Sequence, residues 1–198
     1  YCNKKLLYDL LFEASSETIA TVSQNNLKLE PGFFGVLHTW NQEMQYHPHL
    51  HFVVPGGGLT NNRIWQPFQP QGKFFLPVRI LSRVFRGKFI EKLKLLYQQS
   101  RLYLRGQLLY LNDPREFEHL ISKAATKDWI VYAKRPFAGP AIVLKYLSNY
   151  THRVGISNHR LRSLNTDTVT FSARHKTKKK KKQLLTISLS EFTTRFLY

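Results

Sequence analysis

Apolar residues recur at helical spacing near the start of the chain. Leu6, Leu7, Leu10, Leu11 and Ala14 share one face, and the spacing predicts an amphipathic helix from residue 4 to about 22. Gln24-Asn25-Asn26 and Pro31-Gly32 then break the period. Phe33 to Trp40 is rich in aromatic and β-branched residues and predicts a strand. A polar turn, Asn41 to Tyr46, leads to a second strand that contains His49-Leu50-His51 and ends at Pro55 and three glycines. These two strands are expected to form a hairpin with a longer loop. Residues 59 to 79 mix prolines, glutamines and aromatics and predict irregular chain or a short hairpin.

Leu81, Phe85, Phe89, Leu93 and Leu96 mark a second helix, with Arg83, Arg86, Lys88, Lys92 and Lys94 on its other face. A third helix should start after Asn112-Asp113-Pro114, with Asp113 as cap and Pro114 in the first turn. Its apolar face is Phe117, Leu120, Ile121 and Ala124, and Trp129 to Ala133 then reads as a strand. A helix is predicted from Ala141 to His152, after Gly139-Pro140, with Val143, Tyr146, Leu147 and Tyr150 on one face. Val169, Phe171 and Ala173 alternate with Thr170 and Ser172, which predicts a strand whose hairpin partner is Leu184 to Leu189. The mixture of hairpins and separate helices indicates an α+β class with a central, largely antiparallel sheet flanked by helices. The 198 residues fit a single domain, and no apolar run reaches the ~20 residues of a membrane span.

Charge changes this picture more than size does. Lys and Arg number 30 against 12 Asp and Glu, a formal net charge of +18, which points to a polyanionic partner and to nucleic acid first. The excess is uneven. Residues 1 to 30 hold three basic and four acidic side chains, whereas Lys134 to Lys182 holds thirteen basic residues and one acid, Asp167. Lys178 to Lys182 are consecutive, and their mutual repulsion predicts a solvated loop between the last two strands. Cys2 is the only cysteine, so no intrachain disulfide forms and a reducing cytosol is the natural setting.

Two groups of residues suggest chemistry. In a strand, His49 and His51 point to one face and Leu50 to the other, which suits two imidazoles to a shared divalent ion. An isolated His-x-His is more often a pair of half-exposed strand residues. Tyr146 and Tyr150 stand at i and i+4, one turn apart on one helix face. They are either core packing beside Val143 and Leu147 or a pair of nucleophiles that Lys145, His152 or Arg153 helps to activate.

Taken together, these groups resemble the HUH endonuclease superfamily. The closer resemblance is to the two-tyrosine HUH transposases of rolling-circle bacterial insertion sequences, the insertion-sequence-ninety-one-like group. It is carried by His38-Thr39-Trp40, by His47 to Gly58 (His-Pro-His-Leu-His-Phe-Val-Val-Pro-Gly-Gly-Gly), by Lys134 to Pro140 (Lys-Arg-Pro-Phe-Ala-Gly-Pro) and by Tyr146 to Leu161, which contains Tyr-Leu-Ser-Asn-Tyr-Thr-His-Arg. It runs from about Leu6 to Phe196.

The resemblance implies an HUH-type domain that nicks and joins single-stranded DNA. His49 and His51 would hold Mg²⁺ or Mn²⁺ against the scissile phosphate, and Tyr146 and Tyr150 would be the nucleophiles that form a 5′-phosphotyrosine. The third ligand is open between His38, on the preceding strand, and Gln42, Glu43 or His47 nearer the turn. The implied partner is single-stranded DNA at transposon ends and target, in the bacterial cytoplasm at the nucleoid, with neither a membrane nor a small-molecule substrate. Lys134, Arg135, Lys145, Arg153, Arg160 and Arg162 are candidates to hold phosphates near the break, and Trp40, Phe52 and Trp65 to stack unpaired bases, with burial the favoured reading of Phe52.

The resemblance also implies a cysteine-rich zinc-binding module before this region, of which Cys2 is the last trace, and a C-terminal continuation. The 198 residues are thus expected to be one catalytic domain of a longer protein. The rival readings are a plasmid replication initiator or conjugative relaxase, which shares the metal and tyrosine chemistry, and a truncated remnant that only binds DNA.

Overall fold

A computed structural model describes residues 2–68, 76–134, 141, 155–174 and 182–197. The chain divides into two compact units, one comprising Tyr1–Gly35 and Phe52–Pro136, the other Val36–His51 and Phe137–Tyr198. The α+β class expected from the pattern is the class observed.

In the first unit, α1 (Lys4–Leu27) packs on α2 (Val78–Gln98). Ile19, Val22, Leu76 and Leu81 form a buried core, with Leu27, Phe33, Phe52, Val54, Val84 and Val131 against it. The polar margin of this helix pair is an ion-pair ladder. Lys92 Nζ lies 2.7 Å from Glu13 and 2.8 Å from Glu17, and Lys88 Nζ lies 3.2 Å from Glu17. The basic face read from the sequence is therefore partly spent on holding α2 to α1. The hydrogen bond from Lys92 holds the Glu17 carboxyl below its usual range, and the hydrogen bond to Glu13, followed by that to Glu17, raises Lys92.

A 3₁₀ turn (Gly106–Asn112) leads into α3 (Pro114–Ala125), which begins as its sequence requires: the Asp113 side chain accepts from Arg115 N at 2.8 Å. Phe117 and Ile121 are its buried residues, and the Phe117 ring stacks on Tyr97 at 3.7 Å between centroids.

The expected strand from Trp129 to Ala133 is absent: residues 129–133 form no strand. Tertiary packing claims this segment instead. The Trp129 ring fits against Phe85 and Phe89, with centroids 5.2 Å from each. Its Nε1 donates to Ala124 O, and its carbonyl accepts from the Ser82 hydroxyl. Ile130 and Tyr132 are left at 95% and 79% exposure.

β3 (Gly57–Leu59) and β4 (Trp65–Pro67) form a short antiparallel hairpin where the pattern allowed one. Two of the three glycines serve close approach, Gly57 and Gly58. A Cβ on Gly57 would lie 2.6 Å from Gln66 O, and one on Gly58 would lie 2.7 Å from Glu30 O. The latter contact flanks the paired bonds between Glu30 and Leu59, both 2.8 Å.

In the second unit, β5 (Leu161–Leu164), β6 (Thr168–Arg174) and β7 (Lys182–Ser188) form an antiparallel sheet in that order, and α4 (Leu189–Leu197) follows β7 directly. Val169, Phe171 and Ala173 are buried as their alternation predicts, and Phe171 pairs with Leu185. Phe171, Ala173, Met44 and Ile156 form the core, covered by Leu185, Ile187 and Phe192. β1 (Phe34–Trp40) and β2 (Tyr46–Val53) pair as the expected hairpin. The predicted helix beyond Ala141 and all but Lys182 of the five-lysine run lie outside the described residues.

The ladder should show a definite pH signature. A depressed Glu17 contributes stability that is complete above its unfolded range and is lost as pH falls through its folded one. Lys92→Met is expected to cost about 1 kcal/mol in urea unfolding at pH 7, since the pairs are partly exposed. The cost should shrink below the ordinary glutamate range, as wild type loses the same pairs by protonation.

Candidate metal centre

The site is built from the β1–β2 hairpin. β1 supplies His38, and β2 supplies His49 and His51 from one side of its pleat. Their candidate ligand nitrogens all lie within 4.8 Å of one another. Ring centroids are 5.5 Å apart for His38 and His49, 4.6 Å for His38 and His51, and 4.8 Å for His49 and His51. His38 is buried and the other two are half-buried, so one edge of the cluster faces outward. Three converging imidazole side chains are donor chemistry suited to a borderline or first-row transition ion, and these residues fit such an ion.

Two neighbours fix the rings. Nδ1 of His49 lies 2.7 Å from the carbonyl oxygen of His47. A carbonyl only accepts, so Nδ1 donates here and Nε2 is the nitrogen left to face an ion. The indole of Trp40 stacks on His38 with centroids 5.0 Å apart and planes 13° from parallel. Gly155 lies beside the same indole, where a Cβ would be 3.8 Å from it.

Of the histidine and acidic candidates for a third donor, His38 is the one that lies beside His49 and His51 among the described residues. His47 contributes its carbonyl to His49, and its exposed ring stands 5.2 Å from the His49 ring outside the cluster. Glu43 is buried, with Oε1 accepting from Gln183 Nε2 at 3.4 Å. Gln42 is engaged through its carbonyl, which accepts from Arg160.

The turn between the strands is tightly specified. Asn41 Oδ1 accepts from the backbone N–H groups of Glu43 and Gln45 at 2.8 and 3.0 Å. Asn41 N donates to Gln45 O, and Met44 N donates to Asn41 O, both at 3.0 Å. This is a three-residue hairpin loop whose last residue, Met44, takes the left-handed conformation that usually selects glycine (φ 59°). A non-glycine residue there costs about 1–2 kcal/mol. Burying the Met44 side chain at 2% exposure in the second unit's core offsets this by roughly 1.5–3 kcal/mol. The sequence carried no sign of this, because a methionine in a polar turn resembles any other surface residue.

The remaining predicted residues are distributed as follows. Tyr146, Tyr150, Arg135, Lys145 and Arg153 lie outside the described residues. Lys134 and Arg162 are exposed, in the first and second unit respectively. Arg160 is half-buried: Nε donates to Ser172 O at 2.8 Å, Nη2 donates to Gln42 O, and the guanidinium lies over the Phe171 ring. Trp65 is half exposed beside the Gly57 backbone, whereas Phe52 is half-buried edge-on to Phe33, as favoured for it.

Residues 32–198 match the model of the family described as "Putative transposase". The chain is 43% identical over 200 residues to a "Putative transposase y4qJ" of Sinorhizobium fredii, covering all of this chain and 50% of that protein. It is 26% identical over 156 residues to the "Transposase for insertion sequence element IS801" of Pseudomonas savastanoi pv. phaseolicola, covering 78% of this chain and 36% of that one. The chain therefore spans half the length of the first relative and about a third of the second. No solved structure matches.

Met44→Gly separates the two effects at the turn. Relief of the left-handed backbone alone would stabilise the protein; loss of the buried side chain costs more. Urea unfolding is expected to show a net loss of about 1–3 kcal/mol.

Proposed function

The chain belongs to this transposase family, and on that premise we propose that it nicks and rejoins single-stranded DNA as a two-tyrosine HUH enzyme in rolling-circle transposition of an insertion sequence. The observation that carries the reading is the convergence of His38, His49 and His51 in a chain of this family. These three residues would hold the divalent ion, which when bound supplies a Lewis acid for a phosphoryl oxygen. Three nitrogen donors favour Mn²⁺ over Mg²⁺, which is held mainly through oxygen.

In this reading Tyr146 or Tyr150 attacks phosphorus with its phenolic oxygen. The bond from phosphorus to the 3′-oxygen breaks, a bond from phosphorus to tyrosine forms, the phenol loses its proton and the departing 3′-oxygen gains one. The phosphodiester energy is kept in the protein–DNA link, so resealing by a 3′-hydroxyl needs no nucleotide. A second tyrosine permits a further cleavage while the first is still joined to DNA. Lys134, Arg135, Lys145, Arg153 and Arg162 would neutralise DNA phosphates, and the half-exposed Trp65 would offer a face to an unpaired base. Similarity to the Pseudomonas insertion-sequence transposase favours transposition over plasmid replication. The place of action is the bacterial cytoplasm, where the DNA lies, and the whole is read as one catalytic domain of a longer protein.

A single-stranded oligonucleotide carrying an element end, incubated with this chain and Mn²⁺, should give a covalent adduct that survives denaturing electrophoresis. Tyr146→Phe combined with Tyr150→Phe should abolish it without loss of fold, and His49→Ala or His51→Ala should slow it at least ~100-fold. An adduct from the double phenylalanine variant would overturn the assignment of the nucleophiles.

A further inference from the structure

We propose that Arg160 and Arg195 are positioning residues for the three-histidine cluster, acting through the turn that joins its strands; the inference rests on the metal-centre reading above. The turn begins three residues after His38 and ends four before His49, so a shift in it moves β1 and β2 relative to each other. Two adjacent carbonyls at its apex each receive a guanidinium. Gln42 O accepts from Arg160 Nη2, and Glu43 O accepts from Arg195 Nη1 at 2.7 Å.

The arginines come from separate elements of the same unit. Arg160 closes the 3₁₀ turn (Asn158–Arg160) before β5 and is held by its second bond, from Nε to Ser172 O of β6. Arg195 lies on α4, where Glu191 one turn earlier accepts from its Nη2 at 2.5 Å and orients the fork. Gln183 of β7 adds a third hold on the Glu43 side chain. The hairpin carrying the histidines is thereby fastened at its apex to β6, β7 and α4.

The chemistry requires arginine. Each side chain makes two divergent bonds from one rigid planar group, from Nε and Nη2 in Arg160 and from the two terminal nitrogens in Arg195. A lysine retains the charge, but its donors radiate from one atom and cannot reproduce two acceptor positions set by two different nitrogens of a planar fork. Preserving charge while losing geometry separates this role from simple phosphate attraction, for which lysine serves equally well. It also gives Arg160, a candidate phosphate ligand by sequence, a different task.

Arg160→Lys and Arg195→Lys, with Arg79→Lys as the exposed control, test the proposal by Mn²⁺ titration calorimetry and by nitrogen-15 spectra of the histidine rings. Both positioning variants should keep the wild-type circular dichroism and bind Mn²⁺ about 10–100-fold more weakly, while the control binds as wild type. Unchanged Mn²⁺ affinity in both variants, with DNA affinity and its salt dependence reduced instead, would overturn it. If wild type itself binds no Mn²⁺, the metal-centre reading fails, and the ring spectra decide the positioning role. Loss of the His49 Nδ1–H signal pattern in the two variants upholds that role, and its retention in both overturns it.

Discussion

Two imidazoles on one strand cannot close around an ion by themselves, because the pleat holds their Cα atoms about 7 Å apart and leaves the third side open. A third donor has to come from a neighbouring strand, and the position of that strand then becomes the constraint on everything else. In this protein the neighbour is β1, the candidate donor is His38, and a turn of a few residues joins the two strands. The turn spends backbone strain at Met44 and recovers it by burial in the core beneath β6 and β7. Asn41 satisfies its open N–H groups from within, and Arg160 and Arg195 bind its carbonyls from outside. A surface hairpin has thus become part of the packed structure at its apex.

What could be read from the sequence is what depends on local period and local chemistry. The face shared by His49 and His51 follows from strand alternation, the start of α3 from Asp113 and Pro114, and the burial of Val169, Phe171 and Ala173 from period two. What escaped depends on contacts far apart in the chain. Trp129 packs on the face of α2, and the segment read as a strand forms none. Arg160 looked like one more cation in a basic stretch, yet its acceptors are carbonyls 12 and 118 residues away. His38 could only be one option among four until the hairpin brought it beside the pair.

The charge of the chain gains a similar refinement. A net +18 still calls for a polyanion, in keeping with a transposase family. Part of that charge, however, is internal: Lys88 and Lys92 bind α1, and Arg195 binds Glu191 and the turn. Side chains that remain exposed, such as Arg162, are the ones available to phosphates. The division matters because substitutions of the two kinds have different consequences. Loss of an internal cation alters the frame, while in the proposed function loss of an exposed one would alter the salt-dependent part of DNA binding.

The most direct test of the three-histidine centre is pulsed electron paramagnetic resonance of Mn²⁺ bound to this chain. The account predicts nitrogen modulation from three coordinated imidazoles, falling to two in His38→Ala. A spectrum showing only oxygen ligands, or one unchanged by removal of His38, would contradict it.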